Sequence, residues 1–237
     1  MVRIVCLERD SVDARLRRPA CDHEWIEYPA TRPDQVVERL RGAQIAITNK
    51  APMPAAVIDA LPDLRLVAIS ATGTNVVDLE ACRRRGVAVC NIRGYAVHTV
   101  PEHTLMLLLA LSRNLVAYRL SVQAGRWQRT EQFCLFDHPI RDLHGATLGV
   151  VGGGSLGGGV IRLAEAFGMR VLRAERKGAA TLRSGHVAFA EVLRECDALT
   201  LHCPLTPETQ GLIGEAELRA MKPSALLINT SRAAIVD

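Results

Sequence analysis

Aromatic side chains make up only 4% of this 237-residue chain, and the densest basic stretch, "ACRRRG" (Ala81–Gly86), has none beside it. Single-stranded nucleic acid needs stacking platforms interleaved with cations, so that stretch reads as a solvated helix end and no nucleic-acid partner is expected. Charge of one sign is not in large excess either, the net charge being +4. There is no C-x-x-C pair: Cys6, Cys21, Cys82, Cys90, Cys134, Cys196 and Cys203 are odd in number and widely spaced. That excludes a disulfide framework and a zinc cage, leaves no metal site to expect, and suits a reducing compartment. The longest unbroken apolar run, "LMLLLAL" (Leu105–Leu111), is too short to span a bilayer. No basic segment followed by an apolar one opens the chain, so a secretory signal is not expected. These absences predict a soluble, cytoplasmic protein with no membrane partner.

What is present is an alternation of short apolar runs and amphipathic stretches. "RIVCL", "QIAIT", "RLVAIS" and "VAVCN" read as strands. Between them "DQVVERLRG", "PAAVIDALP" and "DLEACRRRG" read as helices. Strands covered on both faces lose polar alternation, and repeated β-α-β units imply a parallel sheet with right-handed crossovers. The first unit is expected to cover residues 1–98. A long helix then begins near "TVPEHTLMLLLALSRNL"; it is apolar on most sides, so it should lie between layers or against another subunit. "AGRWQRTEQFCLFDHPIRDLHG" has mixed character and is expected to wrap the surface as an arm or linker. The region 100–140 suits a homodimer contact, with a simple domain crossover as the other reading. A second series, in the unit 99–237, has "TLGVV", "RVLRA", "HVAF", "DALTLHC" and "ALLINT" as strands. Its helices are "LGGGVIRLAEAFG", "AEVLREC" and "GEAELRAMK". The fold class is therefore α/β, with two doubly wound parallel-sheet domains.

"TLGVVGGGSLGGGV" holds G-x-G-x-x-G as Gly152, Gly154 and Gly157, set between a strand and a helix. The first glycine permits a tight turn, the second lets the backbone approach a pyrophosphate, and the third lets helix and strand pack closely. Ser155 and Leu156 fall in the first helical turn, where unpaired N–H groups and the positive end of the dipole favour phosphate. An acid is expected roughly 20 residues on to accept from the adenosine ribose, and Glu175 follows Gly157 by 18 positions. Glu175 should repel a 2′-phosphate, while the neighbouring Arg176 and Lys177 could partly neutralise one. The cofactor expected is NAD, with NADP possible. Gly158 and Gly159 lie beyond this fingerprint and weaken a first helical turn.

Together with "ATGTNVVDL", "NIRGYAVHTVPEHTLMLLLAL", "RDLHGATLGVVGGGSLG", "DALTLHCPLTPET" and "MKPSALLINTSRAAIVD", these residues resemble the D-isomer-specific 2-hydroxyacid dehydrogenases. The likeness is closest to the glycerate dehydrogenase/hydroxypyruvate reductase branch and covers nearly the whole chain. It implies a flavodoxin-like substrate domain, a Rossmann NAD-binding domain, and reaction between the two. It implies that backbone N–H groups of Ala71, Thr72 and Gly73 hold a substrate carboxylate, with Lys50 a further candidate. It places Thr104, Cys203, Pro204, Thr209, Thr230 and Ser231 along the cofactor, and makes Arg232 the catalytic arginine. Cys203 reads as packing against the cofactor, not as a nucleophile.

The chemistry implied is hydride exchange between a small 2-keto acid (hydroxypyruvate or glyoxylate) and its D-2-hydroxy acid. A planar guanidinium such as that of Arg232 binds a carboxylate in two places. An acid must also protonate the nascent alkoxide. In the family a glutamate and a histidine lie downstream of the segment matching "SRAAIVD", whereas all seven histidines here precede it. The expectation is a chain cut inside its active site, with an incomplete second sheet and little turnover as written. A non-catalytic NAD-binding module is the alternative. The family has two glycines after the arginine where this chain has Ala233 and Ala234, which would be strained if φ there were positive.

Overall fold

In the computed structural model, which describes residues 1–237, the apolar run "RIVCL" supplies β1 (Val2–Cys6) of a five-stranded parallel sheet. The other strands are β2 (His23–Glu27), β3 (Ile45–Thr48), β4 (Leu66–Ile69) and β5 (Ala88–Asn91), in the order β2-β1-β3-β4-β5. That is the flavodoxin-like order, and it reverses direction between β1 and β3. Helices α1 (Val36–Arg39), α2 (Ala55–Asp59) and α3 (Leu79–Arg85) connect the strands. The core of this unit, Met1–Tyr95, gathers Val5, Leu7, Leu40, Met53, Ile58 and Leu64, all buried. The basic cluster is the end of α3, as expected. Asp78 caps the helix start by accepting from the Ala81 N–H at 2.8 Å, Gly86 ends it at φ 67, and Arg83, Arg84 and Arg85 fill its last turn. There they oppose the negative end of the helix dipole.

Strand β2 is the element that the apolar pattern does not signal. "HEWIE" carries two glutamates and pairs only with β1, Val2 opposite His23, at the edge of the sheet. An edge strand is solvated on one side and can carry charge that a central strand cannot.

The second unit, Ala96–Asp237, opens with α4 (Thr99–Ser112), α5 (Leu115–Gln123) and α6 (Arg126–Arg129). Asn114 adopts φ 48, the one non-glycine residue with positive φ, and α4 and α5 meet there at a bend of 57°. Neither helix is long and apolar enough to cross a membrane. Beyond them come β6 (Thr147–Val151), α7 (Ser155–Ala166), β7 (Arg170–Ala174), α8 (Phe189–Glu195), β8 (Ala198–Leu201), α9 (Glu215–Ala220) and β9 (Leu226–Asn229). The sheet order is β7-β6-β8-β9, all parallel. "HVAF" does not form the strand expected of it. Val187 makes a single bridge to Ala174, because Gly185 turns the chain at φ 72 just before it and α8 starts at Phe189. With that bridge counted, the order is the dinucleotide-binding 3-2-1-4-5, its third strand reduced to one residue.

Packing in this unit explains one of the two extra glycines, Gly159. A Cβ at Gly159 would lie 2.6 Å from Pro101 Cγ, so glycine is what lets α7 lie against α4. A Cβ at Gly158 would meet nothing nearer than Arg162 Nη1 at 3.9 Å. The two positions should therefore respond oppositely to alanine. Gly159→Ala should lower stability by about 1–3 kcal/mol through overpacking, and Gly158→Ala should raise it by roughly 0.5–1 kcal/mol. Thermal denaturation of the two variants tests this, and equal effects at both sites would refute it.

Candidate functional site

The strand order of the second unit reverses between β6 and β8, which opens a crevice at the carboxyl ends of those strands. The glycine turn sits there. Gly152 has φ 94, and a Cβ on it would stand 2.6 Å from the Cys203 nitrogen, in the turn that follows β8. A Cβ on Gly157 would come within 1.9 Å of the Gly152 carbonyl oxygen, so the turn closes on itself only without side chains. Gly153 and Gly154 differ, since nothing lies within 4 Å of a Cβ built at either. The N–H groups of Gly154, Ser155 and Leu156 find no acceptor in the protein. Open space, unpaired donors and the positive end of α7 make a cradle whose chemistry fits a pyrophosphate.

A cavity of about 610 Å³ runs from this turn, lined among others by Gly152, Glu175, Arg183, Cys203, Pro204 and Thr209. Glu175 is only 4% exposed at the end of β7. Its carboxylate accepts from Arg183 Nε at 2.8 Å and Nη2 at 2.8 Å, and from the N–H groups of Arg176 and Arg183, each at 2.9 Å. The Arg183 guanidinium first, and then those two N–H groups, hold its carboxyl at about 2, so it is charged throughout the physiological range. Burial pushes the Cys203 thiol up, which suits packing and not nucleophilic work. Burial likewise pushes His202 down to about 4, with its Nε2 3.0 Å from Thr200 Oγ1. The Thr209 hydroxyl shapes the loop after β8, accepting from the Thr206 N–H at 2.7 Å and donating to the Pro204 carbonyl at 2.6 Å.

Thr230, Ser231 and Arg232 follow β9, beside these elements but not lining the cavity. The Ser231 hydroxyl donates to the Cys203 carbonyl at 2.7 Å and ties the two strand ends together. Asn229 brackets the turn: its Oδ1 accepts from the Ser231 N–H at 3.0 Å and its Nδ2 donates to the Arg232 carbonyl at 2.8 Å. The exposed Arg232 side chain is engaged only through Nη1, which donates to the Ser231 carbonyl at 3.0 Å. Thr104 lies buried in α4; its hydroxyl donates to the Val100 carbonyl at 2.8 Å and lies 3.2 Å from that of Thr230. Ala233 and Ala234 form a 3-10 turn with ordinary φ, so replacing the family's glycines brings no strain here.

In the first unit, Ala71, Thr72 and Gly73 follow β4, and their N–H groups donate to no protein acceptor. Asn91 Nδ2 holds the Thr72 carbonyl at 2.7 Å. Lys50 follows the adjacent strand β3, exposed and without an ion pair. Its N–H donates to Glu8 Oε1 at 3.0 Å, and Glu8 Oε2 also takes the Asn49 N–H and the Thr48 hydroxyl, both at 2.9 Å. Sequence reasoning missed Glu8, Arg183 and Asn229. Only Asn229 carries a readable signal, as an asparagine two residues ahead of the N–H it accepts from.

Residues 105–237 match the family model described as "D-isomer specific 2-hydroxyacid dehydrogenase, NAD binding domain". The chain is 47% identical to the glycerate dehydrogenase of Methylorubrum extorquens over 236 residues, covering 99% of this chain and 74% of that protein. It is 32% identical to the hydroxypyruvate reductase of Blautia hydrogenotrophica over 219 residues, 90% of this chain and 68% of the other. Among solved structures, a Thermus thermophilus protein superposes with a TM-score of 0.85 at 34% identity, covering all of this chain and 76% of its own.

Proposed function

The chain belongs to the D-isomer specific 2-hydroxyacid dehydrogenase family, and from that premise we propose that its residues bind nucleotide and substrate for the interconversion of hydroxypyruvate or glyoxylate with D-glycerate or glycolate. The acid that protonates the alkoxide is none of the residues assigned below. The observation that carries the reading is the cradle at Gly152–Gly157, with open N–H groups at the strand-order reversal and the Glu175 carboxylate at the other end of the same cavity. Gly154, Ser155 and Leu156 hold the pyrophosphate of NAD, Gly152 and Gly157 keep the turn tight enough to reach it, and Glu175 addresses the adenosine ribose. Cys203, Pro204 and Thr209 wall the adenosine side. Bound NAD(H) supplies or accepts the hydride.

The remaining roles belong to the substrate. The Arg232 guanidinium, with most of its donors free, clamps the carboxylate and polarises the ketone. In the first unit, taken by itself, the unpaired N–H groups of Ala71, Thr72 and Gly73, with Lys50 on the neighbouring loop, offer donors and positive charge suited to a carboxylate. Thr104 and Thr230 support the strand end that delivers Arg232. The exposed apolar side chains of α5 and the following arm (Leu115, Val116 and Leu120 at 60%, 67% and 60% exposed, Phe133 at 90%) support a homodimer through residues 100–140. Seven free thiols support a reducing, cytoplasmic setting.

Titration of the folded chain with NADH, followed by nicotinamide fluorescence, tests the reading. Saturable binding is expected with a Kd on the order of 10 μM, inside the usual range for enzyme ligands. A folded chain that leaves the fluorescence unchanged at millimolar NADH would remove the basis for it.

A further inference from the structure

The Glu175 carboxylate has no acceptor capacity left. Oε1 takes the Arg176 N–H at 2.9 Å, Arg183 Nε at 3.0 Å and Arg183 Nη2 at 2.8 Å. Oε2 takes the Arg183 N–H at 2.9 Å and Arg183 Nε at 2.8 Å. An ionised carboxylate offers about four lone-pair sites, so a ribose diol can donate to Glu175 only if the Arg183 side chain leaves. The pair is also close to electrically neutral, which removes the repulsion a lone Glu175 would exert on a phosphate at the ribose 2′ position.

The charges around it balance in sign, but not all of them are paired at close range. Lys177 is paired with Glu217 at 2.9 Å, but Arg176 lines the cavity without an ion pair. Glu208 also lines the cavity, its carboxyl drawn below the usual carboxylate range by the Thr206 side chain first and, to a lesser extent, by the Arg176 charge. Arg183 keeps its Nη1 free of protein partners, and its side chain is 57% exposed, so a donor remains on offer beside the neutralised acid.

Resting on the reading of this cavity as the adenosine site, we infer that Arg183 is the residue that sets which dinucleotide is taken. Closed on Glu175, it screens the acid and presents Nη1, with Arg176, to a 2′-phosphate, so that the chain accepts NADPH as well as NADH. Swung away, it frees Glu175 for the ribose hydroxyls of NADH. Nothing in the local sequence marks Arg183 for this role, since it comes eight positions after Glu175 in a loop without periodicity.

Fluorescence titrations with NADH and NADPH on the wild type, Arg183→Ala and Arg183→Gln decide it. The wild type should bind both, with Kd values within about tenfold of each other. Arg183→Ala should raise the NADPH Kd about tenfold or more while the NADH Kd holds or falls, because the bared Glu175 repels the 2′-phosphate and becomes free for the diol. If Arg183→Ala does not fold, Arg183→Gln, which can still donate to Glu175 without a charge, carries the test with the same expected shift. A smaller change in the ratio of the two Kd values, or a change in the other direction, overturns the inference, as does a wild type that binds NADH but not NADPH. A folded wild type that binds neither nucleotide defeats the reading of the cavity itself.

Discussion

Gly154→Asp is expected to weaken NADH binding by at least about 100-fold, close to 3 kcal/mol, while raising the melting temperature by about 1–3 °C. The two effects have opposite signs because they come from different neighbours. Gly154 is the N-cap of α7, with φ −65 and ψ −167, an extended conformation open to any residue. Nothing of the protein lies within 4 Å of a Cβ there. Aspartate is among the best N-caps, since its carboxylate accepts from the first-turn N–H groups that glycine leaves unpaired. On the proposed reading the pyrophosphate uses donors of that turn, so the new carboxylate would compete for the Leu156 N–H and repel the phosphates. Parallel melting and NADH titration check the outcome. A drop in stability that matches the loss of binding would mean that Gly154 serves the fold and not a ligand.

Glu8→Ala should cost the first unit about 3 kcal/mol, from two N–H groups left partly buried without an acceptor at roughly 1–3 kcal/mol each. Glu8 sits just past β1 and reaches the loop after β3, across the point where that sheet reverses its order. Asn49 and Lys50 lose their acceptor on its removal; Thr48 can still donate to the Ala51 carbonyl at 3.1 Å. Burial raises the carboxyl pKa, but the N–H groups of Ala51, Asn49 and Lys50 and the Thr48 hydroxyl outweigh it, and the net position is below the usual carboxylate range. The stabilisation is therefore complete above the unfolded-state value of 4.5 and fades as pH falls through the lower folded value. Denaturant unfolding of wild type and Glu8→Ala should show a gap near 3 kcal/mol at pH 7 that narrows below about pH 4. A gap that ignores pH would place the cost elsewhere than in the carboxylate.

The central strands were legible because burial on both faces writes them as apolar runs, as in "TLGVV", which is β6 residue for residue. "RVLRA", β7 residue for residue, keeps Val171, Leu172 and Ala174 apolar alongside the exposed Arg170 and Arg173. Where one side of an element meets water, that signal fades. "HEWIE" forms β2 at a sheet edge with scarcely an apolar pattern, and "HVAF" has the pattern but too few residues between a glycine turn and a helix. At the site, the glycine turn was legible because the excluded side chain is itself the signal. Arg183 and Glu8 were not, since each acts on a partner that only the fold brings near. Gly159 shows a third case, a sequence feature plain to see whose reason, the Pro101 ring, lies 58 positions away in the chain.

The Glu175 carboxylate holds more than a neighbour's side chain. By accepting from the Arg183 N–H as well, it also pins the far end of the segment that leads from β7 to the lone bridge at Val187. On the proposed reading, one latch thus serves both the loop's order and the nucleotide's ribose. By reciprocity, if a dinucleotide draws on that latch, its effect on the loop's order and the loop's effect on its affinity are equal in size.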